Sequence, residues 1–523
     1  MVKKRVAIVG AGASGITAAR QCVDYGFEPV IFEKSDVLGG ILHYSEDPQK
    51  HSVMHSTVMK YSTELSVFSD FPAPKGYPEF MHHTKALKYL EDYANNFNLL
   101  GYLKLNTEVC QITRSKNYSD SGTWMVEYFD VTSSEKKVIT TEFDAVLICT
   151  GMHARAWRPP VYRLEKAFKG RVIDSQNYKN STTYLNKTVV IVGFGNSAVD
   201  IACDLAPVAK QVYITSRRST WLLDQLDSKK PWDLAFNRKK SCSEICEELF
   251  VECKADKISN SDSSANELDH PFLSCNFTFS NCLQLYLASG RVLIKPNLLS
   301  FAETGVELED RSIIQNVDEV IFATGYDFDF SIIENGRLIR VRYNDFHLFQ
   351  HMYLPGLLPT LAVIGHVQPR GSLWPVAEMQ ARYFFHTLSG QTQLPTSFKM
   401  KEELEKWRCY MSLNYLKTQR HTQIEDFVVY MDRLASYIGV QPDMFSLLWS
   451  DPRLAFQCFF GPCISQQYRL GGAHACPSAR EIIMNNRRKN SMYLAEPTKR
   501  FSRLTVNISL ITIVLLLLLW LLF

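Results

Sequence analysis

Two glycine-rich turns, each directly after a short apolar run rich in valine and isoleucine, constrain this chain more than any other feature. The first is Gly10-Ala11-Gly12-Ala13-Ser14-Gly15, after Val6-Ala-Ile-Val9. The second is Gly193-Phe194-Gly195-Asn196-Ser197-Ala198, after Thr188-Val-Val-Ile-Val192. An apolar run of this length bounded by glycine reads as a strand buried on both faces of a parallel sheet. The glycine spacing then demands a tight turn into a helix. The first glycine permits the turn, the second lets backbone approach an anion, and the third lets helix and strand pack closely. Gly15 fills the third position in the first turn, ahead of a helix over about 13–24; Ala198 fills it in the second. Each turn therefore specifies a βαβ unit whose helix N-terminus presents unpaired N–H groups to a pyrophosphate.

The strand after each helix ends differently. Pro29-Val-Ile-Phe closes on Glu33, 18 residues after Gly15. A carboxylate there accepts hydrogen bonds from a free ribose 2′-OH and repels a 2′-phosphate. The first unit thus fits FAD or NAD and not NADP. Gln211-Val-Tyr-Ile-Thr215 leads instead to Arg217 and Arg218, with Arg217 19 residues after Ala198. Guanidinium forks match a phosphate in bidentate fashion, so the second unit fits NADP. Two more apolar runs end alike, Ala145-Val-Leu-Ile-Cys-Thr-Gly151 and Glu319-Val-Ile-Phe-Ala-Thr-Gly325. Each reads as a strand returning beneath a nucleotide unit.

A chain of 523 residues that is 46% hydrophobic sustains two or three cores, and a net charge of +3 provides no basic field for nucleic acid. The 13 cysteines are scattered, and a core strand begins almost at Met1, which points to a reducing cytosolic body with free thiols. Cys242, Cys246 and Cys253 have no second Cys/His pair at zinc spacing, so no metal is expected. The last 20 residues, 504–523, carry no charge and are mostly Leu, Ile and Val. As a helix they would span about 30 Å, the thickness of a bilayer core. Lys499, Arg500 and Arg503 precede them, which places the preceding body on the cytoplasmic side. The expected arrangement is a tail anchor with lipid as partner.

More specific motifs resemble one family. Gly193-Phe-Gly-Asn-Ser-Ala-Val-Asp200, Phe322-Ala-Thr-Gly-Tyr326, Phe68-Ser-Asp-Phe-Pro72, Tyr430-Met-Asp432 and Phe459-Phe-Gly-Pro-Cys463 are similar to motifs of the flavin-containing monooxygenases of the dimethylaniline, N-oxide-forming type. The resemblance runs from residue 5 to the hydrophobic tail. It implies an α/β fold of two Rossmann-like domains, FAD on the first and NADPH on the second, with a C-terminal transmembrane helix in the endoplasmic reticulum. It implies that NADPH reduces FAD, that O2 adds to give a flavin C4a-hydroperoxide, and that a soft nitrogen or sulfur of a small amine or thioether takes the distal oxygen. The cofactor carries that chemistry, and the protein positions it and excludes water. An NADPH oxidase making H2O2, or a Baeyer–Villiger-type oxygenase, is the alternative on the same scaffold. Oligomerisation stays open.

On this reading residues 1–155 begin the FAD domain, with a helix over 84–97. Residues 156–330 form the NADP domain, interrupted by an insertion over about 221–283 that includes a polar loop at 259–266. Residues 331–450 return to the FAD domain through a strand at 360–365 and a helix at 374–388. Residues 451–503 are a C-terminal region, and 504–523 the anchor. Gly40 and Leu42 join the first turn and Glu33 around the flavin, and Gln368 matches a family glutamine near it.

Three positions depart from the family pattern. Leu42 stands where a tryptophan is usual. Asp174 replaces the histidine of the motif carried by Phe168, Gly170 and Tyr178. Lys60 stands where the family has an asparagine facing flavin and NADP. An asparagine amide both donates and accepts, whereas an ammonium only donates. Lys60 is therefore the one candidate catalytic residue. The expectation is that the chain reduces FAD but leaks more H2O2 than its relatives.

Overall fold

The repetition of the turns becomes a repetition of sheets. The structure is a computed structural model. It describes residues 3–485 apart from 219, 228–229, 241–243, 246–255, 259–273, 275–276, 417 and 419–421. In the first sheet Arg5–Val9 lies in the centre, flanked in parallel by Glu28–Phe32 and Ala145–Ile148, with Leu103–Lys104 and Leu361–Val363 at the edges. In the second sheet Thr188–Val192 is central. Gln211–Thr215 and Glu319–Phe322 flank it in parallel, and Val292–Lys295 and Arg171–Asp174 form the edges. In each sheet the strand that ends in Thr-Gly pairs on the side of the central strand opposite the strand leading to Glu33 or Arg217. The central strands are buried on both faces, Ala7 and Ile8 in one and Val189 to Ile191 in the other, which is why their sequences run apolar without alternation.

The helix Ala13–Asp24 covers the first sheet and packs against Leu373–Leu388. That second helix is buried almost all round, so its polar residues need partners. Arg382 finds two carbonyls, donating to Tyr468 O at 3.0 Å and to Ala473 O at 3.1 Å. The expected helix over 84–97 is His83–Asn96.

An antiparallel meander, Thr107–Arg114, Trp124–Asp130 and Ile139–Phe143, follows that helix. It was not among the expectations: Trp124, Val126 and Tyr128 are buried at every second position, but Met125 and Phe129 at intervening positions hide the alternation. Its inner face joins Val9, Phe32, Ile148 and Val363 in one core with Phe328, Phe330 and Phe346. These phenylalanines bring the chain back to the first sheet after the second is complete.

Within the insertion, Thr220–Leu223 pairs antiparallel with Asp256–Ile258 and parallel with Thr278–Phe279. The polar loop at 259–266, the cysteines 242, 246 and 253, and the apolar run at 504–523 lie outside the described residues. Among the described residues no helix is long and apolar enough to cross a membrane. The described residues up to Ile483 belong to one compact unit.

Candidate active site

The two turns are built by the same contacts. Gly10 takes φ +107° and donates its N–H to Phe32 O at 2.8 Å; Gly193 takes φ +121° and donates to Thr215 O at 2.8 Å. A Cβ on Gly10 would lie 2.5 Å from Cys149 O, and one on Gly193 would lie 2.4 Å from Ala323 O. These carbonyls immediately precede the two Thr-Gly pairs. The strands ending in Thr-Gly therefore form the wall against which each first glycine is pressed. Gly15 is packed still more closely, since its Cβ would fall 1.8 Å from Gly10 O.

Gly12 looks the other way. A Cβ there would meet only Gly40 Cα, at 3.9 Å, which leaves a backbone-lined cradle open between Gly12 and Gly40. The helices Ala13–Asp24 and Asn196–Leu205 begin at Gly12 and Gly195, and no side chain caps either N-terminus. Free N–H groups beside such a cradle suit a pyrophosphate, so the residues of the first turn fit a dinucleotide, and the second turn shares the uncapped helix start.

Glu33 closes the first turn. Its Oε2 accepts from Ala11 N–H at 2.9 Å and its Oε1 from the Ser35 N–H and hydroxyl at 2.9 Å. These bonds fix a buried carboxylate at the end of the second strand. Arg217 and Arg218 occupy the equivalent place in the second unit and are exposed.

The remaining expected positions fall as follows. Ala11 is buried, and the Ser14 hydroxyl packs where a Cβ on Gly365 would lie, at 2.2 Å. Leu42 is buried at the end of the short turn Gly40–Leu42. Asn196 accepts through Oδ1 from Phe279 N–H at 2.8 Å, bracing the insertion, while Ser197 is exposed and Ala198 buried. Gln368 lies on Gln368–Arg370, which pairs in parallel with Ile424–Asp426, its N–H donating to Gln423 O at 2.8 Å.

The segment 59–62 is one place where the first unit meets the second, and each of its four residues makes a different link. Met59 O accepts from Gln225 Nε2 at 3.1 Å, and Lys60 Nζ donates to Asp200 Oδ1 at 2.6 Å. Tyr61 packs against Trp232 and Phe279, with ring centroids 6.0 Å apart in both cases. Ser62 N–H donates to Asp233 Oδ2 at 2.6 Å. Asp200 sits one turn into the helix of the second glycine turn, and its carboxyl is pushed up by burial and drawn back by Lys60. Asp233 is fully buried and pushed up to about 7 by that burial, against the Ser62 N–H bond. Sequence reasoning missed both acids, because they lie 140 and 171 residues from their partners.

Asp174 ends the edge strand Arg171–Asp174, with Arg158 Nε 3.7 Å from its Oδ1. Its motif partners flank that strand: a Cβ on Gly170 would collide with the Phe168 ring, and Tyr178 Oη donates to Asp204.

A second missed group anchors the Phe68-Ser-Asp-Phe-Pro72 motif. Ser69 N–H donates to Glu378 Oε2 at 2.7 Å, its hydroxyl also donates to Glu378, and Arg469 Nη2 reaches Glu378 Oε1 at 2.8 Å. Burial and the neighbouring Glu378 push Asp70 up to about 6.

Two all-parallel nucleotide sheets, each opening at an uncapped helix and told apart by an acid and an arginine pair, define a dinucleotide-dependent oxidoreductase. The chain belongs to the flavin-binding monooxygenase-like family, which matches it over residues 3–523. It is an FAD-dependent monooxygenase driven by NADPH. It is 36% identical to flavin-containing monooxygenase 5 of Rattus norvegicus over 92% of each chain. It is 33% identical to dimethylaniline monooxygenase [N-oxide-forming] 2 of Rattus norvegicus, over 94% of this chain and 92% of that one. Among solved structures, the S-allyl-L-cysteine S-oxygenase of Allium sativum superposes with a TM-score of 0.65 at 21% identity, over 92% of this chain and 99% of that one. Cyclohexanone monooxygenase from Rhodococcus sp. Phi1 bound to NADP+ gives 0.60 at 16%, over 84% and 98%. At these identities the two structures speak for the shared fold.

Proposed function

We propose that this enzyme oxygenates a soft nucleophilic nitrogen or sulfur of small molecules, using NADPH and O2. The observation that carries the reading is the opposite ending of the two nucleotide units, Glu33 on one and Arg217-Arg218 on the other. Gly10 to Gly15, Glu33, Gly40 and Leu42 would hold FAD. Gly193, Gly195 to Ala198, Arg217 and Arg218 would hold NADPH, with Gln368 near the flavin. When bound, the flavin supplies hydride acceptance and oxygen activation; the chain supplies binding, orientation and exclusion of water. The N-oxide-forming activity in the name of the dimethylaniline monooxygenase relative agrees with nitrogen as an atom oxygenated.

Lys60 bears on how well oxidation of NADPH is coupled to product. Its ammonium offers only donors, and one is committed to Asp200. Where an asparagine would accept as well as donate, Lys60 holds a charge pair instead, which favours leakage to H2O2. The test compares NADPH consumed with sulfoxide formed from a thioether, in the natural protein and in Lys60→Asn. The expected result is a shortfall of sulfoxide, matched by H2O2, that narrows in the variant. Ester formation from a ketone with no sulfoxide would replace this reading by the Baeyer–Villiger one, and H2O2 without any oxygenated product by the oxidase.

The same reading divides the chain into an FAD domain over 1–155 and 331–450, an NADP domain over 156–330 and a C-terminal region over 451–503. It places 504–523 in the endoplasmic reticulum membrane, with the catalytic body in the cytosol. The apolar run and the basic residues ahead of it support that placement. Deleting 504–523 should release the protein from membranes to the soluble fraction with its flavin retained.

A further inference from the structure

Beside the second turn lies a pair of thiols for which oxygenation has no use. Cys203 sits on the helix Asn196–Leu205, three residues after Asp200, and Cys282 precedes the short helix Leu283–Ala288 as its N-cap. Both sulfurs contact the same Ser280 hydroxyl, Cys203 at 3.6 Å and Cys282 at 3.8 Å. Cys282 is exposed and Cys203 half-buried. The neighbouring Cys203 thiol holds the Cys282 thiol down to about 6, against burial and Asp200 and with the help of Ser280 and Lys60; Cys282 and burial in turn drive Cys203 far up. An exposed cysteine with thiolate character, sharing one hydroxyl with a second thiol able to resolve it, is the arrangement of a reversible oxidation site.

We propose that Cys203 and Cys282 form a reversible disulfide in response to hydrogen peroxide, making this pair a modification site on the pyridine-nucleotide unit. The Cys282 thiolate attacks one peroxide oxygen. The O–O bond breaks, an S–O bond forms as sulfenic acid, and hydroxide leaves and takes up the proton that Cys282 had shed. The Cys203 sulfur then attacks the Cys282 sulfur. The S–S bond forms, the S–O bond breaks, and the oxygen departs as a second water carrying the Cys203 proton. The two sulfurs lose two electrons together and peroxide gains them. The bridge would tie the helix that carries Asn196 and Asp200 to the turn at Ser280.

The test uses the full-length, flavin-loaded protein, reduced and then freed of reductant. One portion receives hydrogen peroxide equimolar with protein, remaining thiols are blocked with iodoacetamide, and the chain is cut with trypsin and chymotrypsin, which separates Cys275 from Cys282 at Phe277 and Phe279. The expected product is a Cys203 peptide joined to a Cys282 peptide, lighter than their sum by two hydrogens and split by dithiothreitol. In Cys203→Ser the link should vanish and Cys282 should react with dimedone as a stable sulfenic acid. The proposal is overturned if the natural protein carries Cys282 as sulfinic acid with Cys203 still alkylated, if either sulfur pairs with another cysteine instead, or if both remain fully alkylated while other thiols oxidise.

Discussion

Lys60 Nζ donates to Asp200 Oδ1 across 2.6 Å, and this bond fastens the segment ahead of Phe68 to the helix that begins at the second glycine turn. The residue that departs most from the family pattern therefore carries a bond between the two nucleotide units. Its charge is compensated within the fold.

Both side chains of that pair are only 20% and 25% exposed, so removing one leaves the other partly buried without its partner. Lys60→Met and Asp200→Asn in a double-mutant cycle should show a favourable coupling of about 1–2 kcal/mol, above the range of open surface pairs. Urea denaturation of the four proteins measures it. A coupling near zero would mean that solvent screens the pair completely.

Asp233 should make stability fall as pH rises. Its folded-state pKa of about 7 lies above the ordinary carboxylate value of 3.8, so the native state binds the proton more tightly than the unfolded chain. The contribution is full below pH about 4, is lost through about pH 7, and is constant above that. Asp233→Asn keeps the acceptor for Ser62 N–H and removes the titration. Urea midpoints between about pH 5 and about pH 8 should converge or cross in favour of the variant as pH rises. Parallel pH dependence in the two proteins would refute the assignment.

Arg469 is 2% exposed and faces Glu378, also 2% exposed, with Asp70 3.7 Å away. Arg469→Met should destabilise by about 3–5 kcal/mol, because it strands buried carboxylates. Replacing Glu378 by Gln, which retains an oxygen for Ser69, should cost less. Thermal unfolding of both variants checks the order.

The two turns should fail in different ways. In Gly15→Ala the new Cβ would sit 1.8 Å from Gly10 O, and the purified protein should lose its flavin absorbance. Arg217→Ala should keep the flavin and raise KM for NADPH by roughly ten- to a hundredfold, the loss of one charge-assisted bond of about 1.5–3 kcal/mol, with KM for NADH little changed. Steady-state kinetics with both nucleotides separates the two effects.

The sequence by itself determined the two nucleotide units, because each needs only local chemistry: a strand buried on both faces, glycines at fixed spacing, and an acid or an arginine one strand later. Gly10, Gly12, Gly15, Glu33, Gly193 and Arg217 are all legible within about 35 residues of one another in their own unit. The meander at 107–143 is hidden in the sequence, because Met125 and Phe129 occupy its outward positions and the first strand shifts register between Val109 and Gln111. The tertiary structure alone decided which charges meet. Lys60 with Asp200, Ser62 with Asp233, and Ser69 with Glu378 are separated by 140, 171 and 309 residues. No periodicity encodes such distances. Two separately specified sheets had to be packed together before a lysine that reads as a lone cation became half of an ion pair.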